Sequence, residues 1–183
     1  VTPEGKKFVV TTKGDKKYEA KAVIVATGAM PKRLDVPGEK KLIGKGLSYS
    51  AISHAQLFIE REPAIVGSNK RALEAAAEMA LIAKQVHLVL PEKGESDSAL
   101  GKKLRANAKV KVYEAPLKEI RGDQFVESIV VGDKTIQVDG LFVEVGLTPG
   151  TKMVEGLGIT DASGRVQVDV NCATTKPKAT PAG

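Results

Sequence analysis

The chain has 183 residues, 42% hydrophobic and 27% charged, the balance of a globular protein with a real core. Only 4% are aromatic and none is Trp, so that core must be assembled from Val, Ile, Leu and Ala, which suits a parallel sheet buried under helices. The single cysteine, Cys172, excludes an internal disulfide, a Cys-x-x-Cys pair and a multi-thiolate zinc site, and the net charge of +6 favours anionic partners in general.

Phe8-Val9-Val10-Thr11-Thr12 and Tyr18-Glu19-Ala20-Lys21 alternate as strands around a Lys13-Gly14-Asp15-Lys16 turn, which predicts a hairpin. Ala22-Val23-Ile24-Val25-Ala26-Thr27-Gly28 follows as a continuous apolar run, which predicts a strand buried on both faces. Pro31, Pro37-Gly38, Gly44 and Gly46 make 29–47 an irregular connection and a first domain boundary. From Pro63 the pattern becomes strand (64–66), turn (67–70) and an alanine-rich helix (71–84), with Leu73, Ala76, Ala77, Ala80 and Leu81 at helical spacing. A strand over 86–90 completes a βαβ unit, for which a right-handed crossover is expected. A polar loop (91–98) and a short helix (98–107) precede strands at 109–113, 117–121, 125–131, 134–138 and 141–145. Gly146-Leu147-Thr148-Pro149 marks a second boundary, and the tail holds a turn at 161–164 and a strand at 165–170. Both ends fall in mid-pattern, so the chain reads as a segment of a longer protein.

The lysines are scattered without interleaved aromatics, which argues against a nucleic-acid reader. No apolar run approaches the ~20 residues of a membrane span, and no secretory segment opens the chain, so a cytoplasmic protein is expected.

The chemical interest centres on Gly67-Ser68-Asn69-Lys70-Arg71-Ala72, between a strand and a helix. A dinucleotide fingerprint needs a Gly for the tight turn, a Gly where backbone meets pyrophosphate, and a small residue where helix packs on strand. Gly67 and Ala72 fill the first and third roles. Asn69 stands at the second, where its side chain is expected to crowd the phosphates, although Asn tolerates positive φ. The helix N-terminus offers N–H donors, and Lys70 and Arg71 add charge beside it. The alternative is a strand-to-helix turn that binds nothing. At the end of the next strand, where an acid would read the ribose hydroxyls or an Arg a 2′-phosphate, stands Pro91-Glu92-Lys93. Glu92 is two residues late and Lys93 is a weak substitute for an arginine clamp, so NADH and NADPH are not distinguished.

The order of these pieces carries a resemblance. Val23-Ile24-Val25-Ala26-Thr27-Gly28, then Val36-Pro37-Gly38-Glu39, then the βαβ unit, then Phe142-Val143-Glu144-Val145-Gly146-Leu147-Thr148-Pro149-Gly150-Thr151 resembles the thioredoxin reductase-like flavoproteins, within the pyridine nucleotide-disulfide oxidoreductases. The resemblance implies an α/β fold: a Rossmann-like NAD(P)H-binding-type domain of three layers, with a parallel sheet and a β-meander, flanked by partial FAD-domain strands. By this resemblance 1–47 and 150–183 are parts of the FAD-type domain and 52–146 is the NAD(P)H-type domain. Hydride would pass from NAD(P)H to FAD in the intact protein, which the resemblance makes a homodimer. Gly67, Ser68, Asn69, Lys70, Arg71, Ala72, Lys93 and Gly146 would lie at the dinucleotide, and Thr27 and Gly28 at the flavin. The family's N-terminal FAD-phosphate loop is missing and Pro181-Ala182-Gly183 resembles only the lead-in to its C-terminal flavin contact, so FAD is not expected on this chain alone.

Ser48-Tyr49-Ser50-Ala51-Ile52-Ser53-His54 is the main departure. Relatives carry a Cys-x-x-Cys-Asp there, and Ser50 and Ser53 occupy the two redox-cysteine positions with His54 at the acid. Only sulfur forms the disulfide that relays electrons, so no dithiol relay and no catalytic residue are expected. His54 is expected to be a surface or cap residue, and Cys172 a half-buried structural thiol. His54, His87 and Cys172 follow no metal-ligand spacing. Two other readings stay open: a degenerate nucleotide fold with a structural or interaction role, and a flavoprotein reduced by a protein donor such as ferredoxin, which a basic face would suit.

Overall fold

A computed structural model of the chain describes residues 1–174 and 179–181. It divides into two compact units, Val1–Met30 with Leu147–Gly183, and Pro31–Gly146.

The first unit opens with an antiparallel sheet of β1 (Thr2–Glu4), β2 (Lys7–Thr11) and β3 (Lys17–Ala20), in that order. The expected hairpin is β2–β3, with Phe8 opposite Ala20. β4 (Val23–Val25) departs from expectation: Val25 is buried, but Ile24 is 73% exposed. Among the described residues β4 pairs with one strand, the late β15, and that short ribbon leaves Ile24 uncovered. β5 (Ala29–Pro31) ends this first passage.

The second unit begins with α1 (Glu39–Leu42), β6 (Leu47–Ser48), α2 (Ala51–His54) and a 3₁₀ turn over Ala55–Phe58. Residues 31–47, which the sequence groups with the first segment as an irregular connection, therefore pack here. Leu42 and Leu47 are fully buried in this unit's core. The Val36-Pro37-Gly38-Glu39 turn has a physical reason. A Cβ on Gly38 (φ 88°) would stand 1.8 Å from the Ile120 carbonyl, and the buried Glu39 carboxylate accepts the N–H groups of Leu34 (2.9 Å) and Asp35 (2.8 Å). Tyr49 donates its hydroxyl to the same carboxylate at 2.8 Å. Burial and that hydrogen bond push the phenol up to about 12.

Next come β7 (Pro63–Val66), α3 (Lys70–Ile82), β8 (Val86–Val89), α4 (Ala99–Ala106) and β9 (Val110–Tyr113). An antiparallel meander of β10 (Leu117–Arg121), β11 (Ser128–Val131) and β12 (Lys134–Gln137) leads to β13 (Gly140–Val143). The major sheet is parallel throughout, in the order β6-β13-β7-β8-β9. Strand alternation sorts its side chains into two cores. Ile65, Leu88 and Phe142 face α3 and α4, whereas Ala64, Val66, Val89, Leu141 and Val143 face the meander's Leu117, Ile120, Ile129 and Val131. Helices, parallel sheet and meander are the three expected layers of a Rossmann-like α/β fold. Truncating one of these buried Leu or Ile side chains to Ala costs about 2–5 kcal/mol.

Some local expectations shift. Leu81 of α3 is 80% exposed and Met79 takes the inward position. β11 starts at Ser128 rather than 125, because a tight turn at Gly122 places the Phe125 carbonyl where a Cβ would be and leaves Phe125 62% exposed. His87 is buried in mid-strand, with Nδ1 3.1 Å from the Tyr113 hydroxyl and Nε2 3.6 Å from Glu62.

The chain re-enters the first unit through β14 (Leu147–Pro149), which pairs with β5, then makes a 3₁₀ turn over Lys152–Leu157 and ends at β15 (Ala179–Pro181). Phe8, Val25, Val154, Leu157 and Ile159 form this unit's core. The strand expected over 165–170 is reduced to isolated bridges at Val166 and Val168. Cys172 is exposed, not half-buried, since it sits with φ 60° in a turn organised by Asp169. Among the described residues no helix is long and apolar enough to cross a membrane, and no His, Cys, Asp and Glu group suits a metal ion.

Candidate functional site

The chain advances from β7 through β8 to β9 on one side of the sheet, and β13 returns on the other side of β7. The loops after β7 and β13 therefore diverge at a topological switch point, the place where open α/β sheets form a ligand crevice at their carboxyl ends. Gly67 follows β7 there, and Glu144 follows β13.

Gly67 has φ 153°, and a Cβ on it would lie 2.4 Å from the Glu144 carbonyl and 2.8 Å from Ala72 Cβ. The first and third fingerprint positions are thus fixed by one close contact among loop, helix and neighbouring strand. Asn69 has a role that the sequence reading did not assign to it. It has φ −91°, not a positive value, and it caps α3: Oδ1 accepts the Ala72 N–H at 3.0 Å and Nδ2 donates to the Glu144 carbonyl at 2.6 Å. Both ends of its amide are engaged within the protein. With Ala72 capped, the N–H groups of Lys70 and Arg71 are the orphan donors of the first turn.

Ser68 is buried under the loop that follows β8. Its carbonyl accepts the Glu95 N–H (2.6 Å), its hydroxyl accepts the Glu92 N–H (3.3 Å), and a Cβ on Gly94 would stand 2.2 Å from its carbonyl. Lys70 is exposed and pairs with Glu74 at 3.6 Å, and Lys93 is exposed and pairs with Asp97 at 3.1 Å. Neither lysine joins the cluster at Gly67. Gly146 (φ 108°) ends the loop after β13, and its carbonyl accepts the Lys32 N–H at 2.9 Å.

Glu144 is the residue that sequence reasoning passed over, because it is embedded in an apolar run. Its side chain is 6% exposed. Oε1 accepts the Ala51 N–H at 3.1 Å and Oε2 lies 3.0 Å from Arg71 Nε. Ala51 begins α2, so this carboxylate joins the serine segment to the first turn of α3. In that segment Ser50 Oγ and Ser53 Oγ are 2.9 Å apart, and His54 Nδ1 lies 3.3 Å from both Ser48 Oγ and the Ser50 carbonyl. His54 is exposed and ends α2.

In the other unit, the Gly150 N–H donates to the Gly28 carbonyl at 2.8 Å, and a Cβ on Gly150 would lie 2.7 Å from the Thr27 carbonyl. Thr27 and Gly28, with Pro149, Thr151 and Arg165, border a cleft of about 440 Å³. Of the Pro181-Ala182-Gly183 lead-in, 182 and 183 lie outside the described residues.

The family model for pyridine nucleotide-disulphide oxidoreductases matches residues 1–179. The chain belongs to that family. It is 33% identical over 183 residues to the thioredoxin reductase of Listeria monocytogenes, covering 95% of this chain and 57% of the relative. It is 32% identical over 175 residues to the thioredoxin reductase of Bacillus subtilis, covering 91% of this chain and 55% of the relative. The crystal structure of thioredoxin reductase from Streptococcus pyogenes superposes with a TM-score of 0.81 at 31% identity, covering 100% of this chain and 62% of that one. The chain thus spans about 57% of the Listeria relative's length.

Proposed function

We propose that residues 31–146 form the pyridine-dinucleotide-binding unit of a thioredoxin reductase-like oxidoreductase, with the 1–30 and 147–183 unit contributing to its flavin side. The observation that carries this reading is the Gly67 turn at the switch point between β7 and β13. The turn fits a pyrophosphate: its backbone is bare of Cβ, and the Lys70 and Arg71 N–H groups follow it at the positive end of a 13-residue helix. The bound dinucleotide supplies a hydride. Gly67 lets the loop approach the phosphates, Asn69 keeps the first turn of α3 formed, and Ser68 holds the Glu92–Glu95 loop beside the site. The Thr27–Gly28 strand end suits part of a flavin site, consistent with FAD held in the longer protein.

Ser50 and Ser53 stand where the resemblance places a dithiol, and hydroxyl oxygens 2.9 Å apart cannot be joined by oxidation. Electrons reaching a flavin would therefore leave this protein by a route without that relay.

A second reading, a nucleotide fold that binds nothing, draws on Arg71, whose charge is already engaged by Glu144. Calorimetric titration of the chain with NADH and with NADPH separates the two. Binding of either below about 1 mM, roughly −4 kcal/mol, supports the dinucleotide reading, and no heat from either supports the second.

A further inference from the structure

We infer that Glu144 is a positioning residue that sets the nucleotide loop's affinity by competing with the ligand's phosphates for Arg71, and that this competition is felt at the serine segment. The inference rests on the dinucleotide reading for its ligand. Glu144 satisfies both carboxylate oxygens with groups from two different segments, Ala51 at the start of α2 and Arg71 in the first turn of α3. Its backbone adds a third and a fourth tie, accepting from Asn69 Nδ2 at 2.6 Å and donating to Val66 at 2.8 Å.

The two side-chain contacts differ in kind. Ala51 N–H is a hydrogen bond from fixed backbone, whereas Arg71 meets Oε2 as an ion pair and its side chain is 54% exposed. Arg71 is the partner free to leave. Were it to swing onto a pyrophosphate, a carboxylate 6% exposed would lose its only cationic partner among the described residues while an anion arrived nearby. Binding is therefore opposed by the cost of stripping Glu144, and the remaining Ala51 contact must readjust. No other strongly acidic group touches Arg71 among the described residues, so the competition resides in this one pair.

The test is a double-mutant cycle on the chain, using NADH or NADPH, whichever binds the unmutated chain more tightly, and, separately, inorganic pyrophosphate as probes. Glu144→Gln keeps an acceptor for Ala51 N–H and removes the charge that holds Arg71. It should tighten both probes about tenfold, the factor expected if Arg71 is otherwise free about a tenth of the time. In an Arg71→Gln background the same change should have no effect. In the unmutated chain, the Arg71 Nε–H and Ala51 N–H resonances should shift together on adding pyrophosphate, with one apparent affinity, a readout that survives if Glu144→Gln folds poorly. Equal affinities for the unmutated chain and Glu144→Gln overturn the inference, as does a gain that persists without Arg71 or an Ala51 signal that stays fixed. Dinucleotide binding with no Glu144 effect sinks the inference alone. Silence towards NADH and NADPH alike with the pyrophosphate cycle intact sinks the dinucleotide reading alone, and silence towards the dinucleotides and pyrophosphate together sinks both.

Discussion

Replacing Gly67 with alanine probes whether the contact between loop and β13 is as close as described. The added Cβ would lie 2.4 Å from the Glu144 carbonyl, so reaching an ordinary contact of 3.4 Å requires a retreat of about 1 Å by backbone on both sides. That retreat stretches two hydrogen bonds anchored on Glu144, from Asn69 Nδ2 at 2.6 Å and to Val66 at 2.8 Å. Losing both costs about 1–3 kcal/mol, and holding a non-glycine residue at φ 153° adds about 1–3 kcal/mol. The sum, about 2–6 kcal/mol, is a large share of the roughly 5–15 kcal/mol available to a typical domain. Urea unfolding followed by far-UV circular dichroism measures it. With a slope of about 2 kcal/mol/M, the midpoint should fall by about 1–3 M at unchanged slope. Gly156→Ala, with open space around its Cβ, serves as the neutral control. A Gly67→Ala midpoint within about 0.3 M of the control would refute the close approach of loop and strand.

Two other outcomes follow from geometry already described. The double replacement Ser50→Cys with Ser53→Cys puts two thiols where hydroxyls sit 2.9 Å apart, so mild oxidation should lower the titratable thiols from three, Cys172 included, to one. Three thiols remaining after oxidation would show that the segment does not hold the pair in reach. His87 is held below the ordinary imidazole value of 6.5, chiefly by burial and also by Lys111, with Glu62 opposing. The unfolded chain therefore takes up a proton first on acidification, and the contribution is intact above 6.5 and lost as pH falls through the window beneath it. The urea midpoint should drop between pH 7.5 and 5.5, and His87→Gln should flatten that drop while Glu62, Lys84, Lys111 and Tyr113 stay in place. An equal drop in both proteins would assign it elsewhere.

The βαβ unit was legible because its signals are local: an apolar strand, a glycine turn, and Ala72 to Ala80 at helical spacing. β6 was not, since two residues, Leu47 and Ser48, carry no period, and their strand character comes from β13, far along the chain. The site divides the same way. Gly67 and Ala72 could be assigned from spacing alone. The capping role of Asn69 was passed over in the comparison with a glycine pattern, although an Asn directly before an alanine-rich helix is itself a capping signal. Glu144 could not be found from sequence, because its partner Ala51 is 93 residues away and nothing in Val143-Glu144-Val145 marks a buried acid. At β4 the apolar pattern overreached: alternation reports what a side chain prefers, while Ile24 reports what covers it.

The position of β13 also orders assembly in time. Leu141 pairs with Ala64, and Leu47 lies on the other side of Leu141, so a strand near the middle of the sheet is the last of its unit to be synthesised. Until residues 140–143 emerge, β7 has an open edge of four buried residues, and β6 has no other partner strand among the described residues. Contacts this distant are slow to form, and an exposed apolar edge is an invitation to pair with another chain. The loop that carries Glu144 is thus also the last piece of the crevice to arrive, so the Gly67 turn is shaped only when folding of this unit is complete.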